Sequence, residues 1–143
     1  MPYRYLEEIA TADVALAAWG KTREELFSAC ADALANVMVT DIGTIGRDTD
    51  IEIRLENDEI DLLLFNFLNE IVFYKDARQL LLRVATVHIA DSDGTHLLEA
   101  SLTGELIDSK KHDLIVDVKA VTLHRLRIDA TSQGWEATVV LDI

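Results

Sequence analysis

Residues 51–74 read IEIRLENDEIDLLLFNFLNEIVFY, and the spacing of the apolar side chains changes part-way along them. From Ile51 to Glu56 apolar and charged residues alternate, the period of a strand covered on one face. The following DLLLFNFLNEIVFY predicts a helix, with Asn57 or Asp58 as its cap and apolar residues nearly all round. Such a helix has to be buried on more than one side or lend part of its surface to a contact. Downstream, LLLRVATVHIA (80–90) and HLLEASLTGELI (96–107) flank Asp91-Ser92-Asp93-Gly94, a hairpin turn in which Gly94 can take a positive φ. Strand, helix, strand, strand thus fill residues of about 50–107.

The same order surrounds this unit. Residues 3–19 read as extended, with Ala12, Val14, Leu16 and Ala18 on one side of ADVALAAW and Thr11, Asp13, Ala15 and Ala17 on the other. Gly20 breaks the segment. Thr22 and Glu25 then form a capping box, in which hydroxyl and carboxylate satisfy the first free N–H groups of a helix. Leu26, Phe27, Cys30, Ala31, Leu34, Val37 and Met38 fall on one face of that helix. The segment DIGTIG (41–46) is a loop, and so is SKKHD (109–113). LIVDVKAVTLHRLRID (114–129) predicts one long alternating strand. Val116, Val118, Ala120, Thr122, His124, Leu126 and Ile128 lie on one face of it, opposite Asp117, Lys119, Val121, Leu123, Arg125 and Arg127. His124 is thereby placed on the apolar side, where a histidine is more often a satisfied core residue than a ligand.

A terminal strand, WEATVVLDI (135–143), puts Trp135, Ala137, Val139, Leu141 and Ile143 on the apolar face, with Glu136, Thr138, Val140 and Asp142 opposite. If Ile143 closes the chain, its α-carboxylate stands one residue from Asp142. The expected fold class is α+β: two nested strand-helix-strand-strand units forming antiparallel sheet, one face of it covered by two helices, in a single domain over 1–143.

Acidic residues outnumber basic ones 26 to 13, a formal charge of −13, which argues against direct nucleic-acid binding and for cations or basic partners. The single cysteine, Cys30, cannot form an internal disulfide and reads as a small buried hydrophobe, in keeping with the cytoplasm. No apolar run reaches the roughly 18 residues of a membrane span, and no basic stretch followed by a long apolar segment opens the chain.

The early TAD ending at Asp13, LLLFNFLNEIVFYKD, Gly104-Glu105, KKH, VKAVTLH and the closing VVLDI occur in an order and spacing that resembles archease over essentially the whole chain. The resemblance implies a small acidic, non-catalytic protein that assists RtcB-type RNA ligases, which join tRNA halves after intron removal. Such a partner promotes guanylylation of the ligase, lets it turn over repeatedly and broadens its nucleotide choice. It further implies a divalent cation, Ca²⁺ first with Mn²⁺ or Mg²⁺ as alternatives, held by Asp13, Asp142 and the C-terminal carboxylate of Ile143. Hard oxygen ligands suit those ions, and three close anions would otherwise repel one another. Read from alternation alone, Asp142 is an ordinary solvated strand-end charge.

Family members often carry histidine directly before the TAD motif, where this chain has Ala10. Lys119, Thr122, His124 and His112 are carried as candidates that support the site or the partner surface. Two other functions stand beside ligase activation. One is a chaperone or specificity factor for another tRNA enzyme, such as a tRNA cytosine methyltransferase. The other is a metal-dependent hydrolase, against which the chain has no H-E-x-x-H, P-loop or G-x-S-x-G motif.

Overall fold

Alternating apolar residues pair into two antiparallel sheets, and two helices fill the space against them. The computed structural model describes residues 2–6 and 13–143. The first sheet contains β1 (Tyr3–Tyr5), β2 (Asp13–Gly20), β8 (Gly134–Asp142) and β6 (Ala120–Val121) in that order, with β7 (Arg127–Thr131) also pairing β8. The second runs β3 (Thr49–Asn57), β5 (Thr95–Leu106), β4 (Leu80–Ser92). Helix α1 (Arg23–Met38) follows β2, and α2 (Ile60–Arg78) joins β3 to β4. The expected antiparallel sheet with two helices against it is present as two sheets, and each helix touches both: α1 packs on β2 and β4, α2 on β3, β4 and β6.

Local chemistry explains most of these boundaries. The Thr22 hydroxyl accepts from the Glu25 amide at 3.1 Å, and the Glu25 carboxylate reaches back to the Lys21 amide at 2.6 Å, one residue earlier than a standard capping box. All seven apolar residues expected on the inner face of α1 are buried. Helix α2 departs from expectation at its start. Its cap residue is Glu59 and makes no side-chain cap bond, while Asn57 accepts from the Glu59 amide and Asp58 accepts from the Thr95 hydroxyl. The apolar character of α2 is used on several sides: Leu63, Leu64, Phe67, Leu68, Ile71 and Val72 are buried, and Phe67 meets Phe27 of α1 with ring centroids 5.8 Å apart. The hairpin closes on Asp93 and Gly94, both at positive φ (50° and 80°), the geometry of a two-residue turn that matches strand twist.

The long strand over 114–129 is not formed. Residues 114–119 lack strand structure apart from one bridge between Leu114 and Val39, and only Ala120–Val121 and Arg127–Thr131 pair with β8. Between those segments the five residues 122–126 face only Val139 and Val140, so the excess is thrown out as a turn with Arg125 at φ 54°. The expected facing fails accordingly. Val121 is buried and Val116 exposed, and His124 lies exposed in the turn instead of in the core. Of residues 3–19, β1 and β2 are extended as expected and pair with each other. Ala10, Thr11 and Ala12 lie outside the described residues.

Candidate metal centre

Strand β8 lies between β2 on one side and β6 with β7 on the other, so its last residue is held from both flanks. In that register Asp13 is the cross-strand partner of Asp142, and Asp142 is also the partner of Ala120. Directly opposed residues of an antiparallel pair share a face with Cβ atoms about 4.5–5.5 Å apart, where like charges are destabilising. The register thus sets two aspartates side by side at the end of one ladder, and neither is fully exposed. Two residues inward on the same face, Ala15 and Val140 are each only 1 % exposed. An apolar floor therefore adjoins the acidic pair, which lowers the local screening by water.

The backbone around Asp142 is braced from the β6 side. The Lys119 amide donates to the Asp142 carbonyl at 2.8 Å. Thr122 donates to the Val140 carbonyl twice, through its amide and its hydroxyl, each at 3.0 Å. The His124 amide in turn donates to the Thr122 hydroxyl at 3.3 Å. Lys119 and Thr122 thus act on the site through the main chain. His124 projects from an exposed turn, available to a partner.

His112 sits elsewhere and is almost wholly buried. Its Nδ1 accepts from the Asp108 amide at 2.9 Å, which leaves Nε2 to donate to Glu105 Oε1 at 2.8 Å. Both ring nitrogens are engaged, so His112 has no free lone pair for a cation. Glu105 Oε1 also receives the Gly46 amide (2.8 Å) and the Lys111 ammonium (2.7 Å). Lys111, then Gly46 and His112, hold the Glu105 carboxyl at about 2, far below its ordinary value. This cluster ties the loop after β5 to the loop before β3. Nothing in the alternation around Glu105 or in the polar SKKHD segment announces it.

Among the described residues no group of three or more His, Cys, Asp or Glu side chains converges on one point. Asp13 and Asp142 are thus the two carboxylate-bearing residues that the register sets side by side at this end of the ladder. Such an all-oxygen set fits Ca²⁺, Mg²⁺ or Mn²⁺ by its hardness. A cleft of about 910 Å³ lies at the other end of the β2–β8 ladder, beside Trp19 and Trp135. At about 3.3 Å per residue that is roughly 23 Å from the carboxylates. The cross-strand register of two aspartates, and not cleft size, marks the candidate centre.

These features define a small α+β protein with an acidic pair at the end of its central ladder. The archease protein family model matches residues 3–143, and the chain belongs to that family. Protein archease of Methanosarcina barkeri is 37% identical over 142 residues, covering 99% of this chain and 95% of that one. Its counterpart from Pyrococcus furiosus is 35% identical over 134 residues, covering 93% and 94%. The solution structure of Methanobacterium thermoautotrophicum protein 1598 superposes with a TM-score of 0.85 at 27% identity, with 99% of each chain covered. A crystal structure of an archease from Thermotoga maritima, described as a possible chaperone, shares the fold with a TM-score of 0.58 at 20% identity over 96% of this chain and 97% of that one.

Proposed function

We propose that the chain is a non-catalytic activator of an RtcB-type tRNA-splicing RNA ligase, promoting its guanylylation and multiple turnover through a divalent-cation site at Asp13, Asp142 and Ile143. The observation that carries this reading is the direct pairing of Asp13 with Asp142. A sheet gains nothing from two opposed carboxylates, so their placement is understandable if a cation or a cationic partner group sits between them.

A bound cation would supply positive charge that can neutralise phosphate oxygens at the ligase mouth. This chain's own residues do the rest. Asp13 and Asp142 present oxygen ligands from two strands, the Ile143 carboxylate adds a third when it closes the chain, and Lys119 and Thr122 hold the β8 backbone in place. The charge of −13 favours docking on a basic, RNA-binding surface, where carboxylates can stand in for phosphates. His112 has both nitrogens bonded, and burial pushes the Cys30 thiol up to about 12, so neither offers a free base or nucleophile. No helix among the described residues is long and apolar enough to cross a membrane, and we place the complex in the cytoplasm.

The test is guanylylation of the cognate ligase under multiple-turnover conditions, alone, with the parent chain and with Asp13→Asn. Stimulation by the parent and its loss in the variant are expected. A ligase indifferent to the parent overturns the reading, and binding to a tRNA methyltransferase, measured alongside, would transfer the role to that enzyme.

A further inference from the structure

Strand β6 is only two residues long and lies at the sheet margin, yet it carries the rung that flanks Asp142. A two-residue strand has little pairing energy of its own, and its outer edge is open to competing partners. Helix α2 closes that edge. The Asn69 carboxamide pairs with the Val121 main chain as another strand would: Oδ1 accepts from the Val121 amide at 3.1 Å, and Nδ2 donates to the Val121 carbonyl at 3.4 Å and to Phe65 of its own helix at 3.2 Å. Six residues further along α2, Lys75 buries its side chain to 5 % exposure and donates to the Val118 carbonyl at 2.7 Å. Its ammonium also pairs with Asp76 and Asp117. Burial opposes that charge, but the two carboxylates outweigh it and keep the lysine protonated.

These contacts bracket the residues that brace the acidic pair. Val118 and Val121 are held by α2, and between them Lys119 donates to the Asp142 carbonyl while Ala120 pairs with Asp142. We infer that Asn69 and Lys75 are positioning residues, which clamp β6 against the last rung of β8 and so hold Asp142 opposite Asp13. The inference rests on the cation-site reading for its purpose, but the clamp itself can be read independently. Sequence periodicity hides both residues. Asn69 looks like a polar interruption of an apolar helix, and Lys75 like an ordinary charge in a last turn.

The test uses the full chain with Asn69→Leu, which keeps side-chain size and removes the carboxamide bonds, and Lys75→Met, which keeps the stem. Asn69→Ala, which leaves room for water, serves if the leucine variant does not fold. Amide hydrogen exchange reads the clamp at Lys119 and Thr122, whose own bonds to β8 are untouched by the substitutions. Protection there should fall roughly tenfold or more while the β3–β5–β4 amides keep theirs. Mn²⁺ titration of ligase stimulation reads the purpose. The concentration for half-maximal effect should rise several-fold, with the response at saturating Mn²⁺ retained, a split that general loss of folded protein would not produce. Unchanged protection at Lys119 and Thr122, or an equal loss in both sheets, overturns the clamp. A shifted exchange pattern with an unmoved Mn²⁺ response overturns its role at the site. A parent chain with no Mn²⁺ response sinks the cation reading and leaves the exchange result to decide the clamp by itself.

Discussion

Glu105 concentrates three donors, Lys111, the Gly46 amide and His112, on a single carboxylate oxygen, and its folded-state pKa of about 2 lies below the ordinary 4.5. A depressed carboxyl contributes stability that is complete above its unfolded value and is lost as pH falls toward its folded value. Melting temperature should therefore decline between about pH 5 and pH 2 in the parent, and Glu105→Gln should melt lower at neutral pH with a flatter slope through that window. Thermal melts across pH check this. His124 gives the opposite case. Alternation placed it in the core, but it stands in an exposed turn, so His124→Ala should change stability by no more than about 0.5 kcal/mol. Its effect, if any, should appear in ligase stimulation, measured on the same preparation.

Among the elements, those that chemistry fixes locally were legible and those fixed by distant partners were not. The capped α1 could be read because Thr22 and Glu25 declare its start, and Thr22→Ala should cost about 1 kcal/mol, or roughly 4 °C in melting temperature for a chain of this size. The β4–β5 hairpin was equally plain, since Asp93-Gly94 suits positive φ at both positions. Gly104 within that hairpin marks a tighter constraint: a Cβ there would lie 1.8 Å from the Leu81 carbonyl oxygen. Gly104→Ala should accordingly exceed the ~1–3 kcal/mol usual for overpacking, as a denaturant melt will show. By contrast, residues 114–129 alternate well enough for a strand, and only pairing with β8 reveals the surplus of three residues that is expelled as a turn. The α2 partners that hold this segment, Lys75 on Val118 and Asn69 on Val121, lie 43 and 52 residues away in sequence.

At the scale of the whole molecule, the two nested sheets share their helices, and the acidic pair sits where the central strand of the first sheet ends. Spacing alone placed Asp13 and Asp142 only on the polar sides of two separate strands. Their meeting needed the β2–β8 register, which no local pattern encodes, and the family resemblance is what tied them together beforehand. With a charge of −13, docking on a basic ligase surface should be steered electrostatically, so added salt should lower the association rate far more than it raises the dissociation rate. Stopped-flow binding at low and high salt separates the two. The claim that the acidic pair is a cation site meets its most direct test in calorimetric titration of the parent, Asp13→Asn and Asp142→Asn with Mn²⁺ and Ca²⁺, each variant confirmed folded. One saturable site in the parent, lost or weakened by about tenfold or more in each variant, is the expected result for a site deprived of one anionic ligand. A parent that takes up no cation, or variants that bind as tightly as the parent, would contradict it.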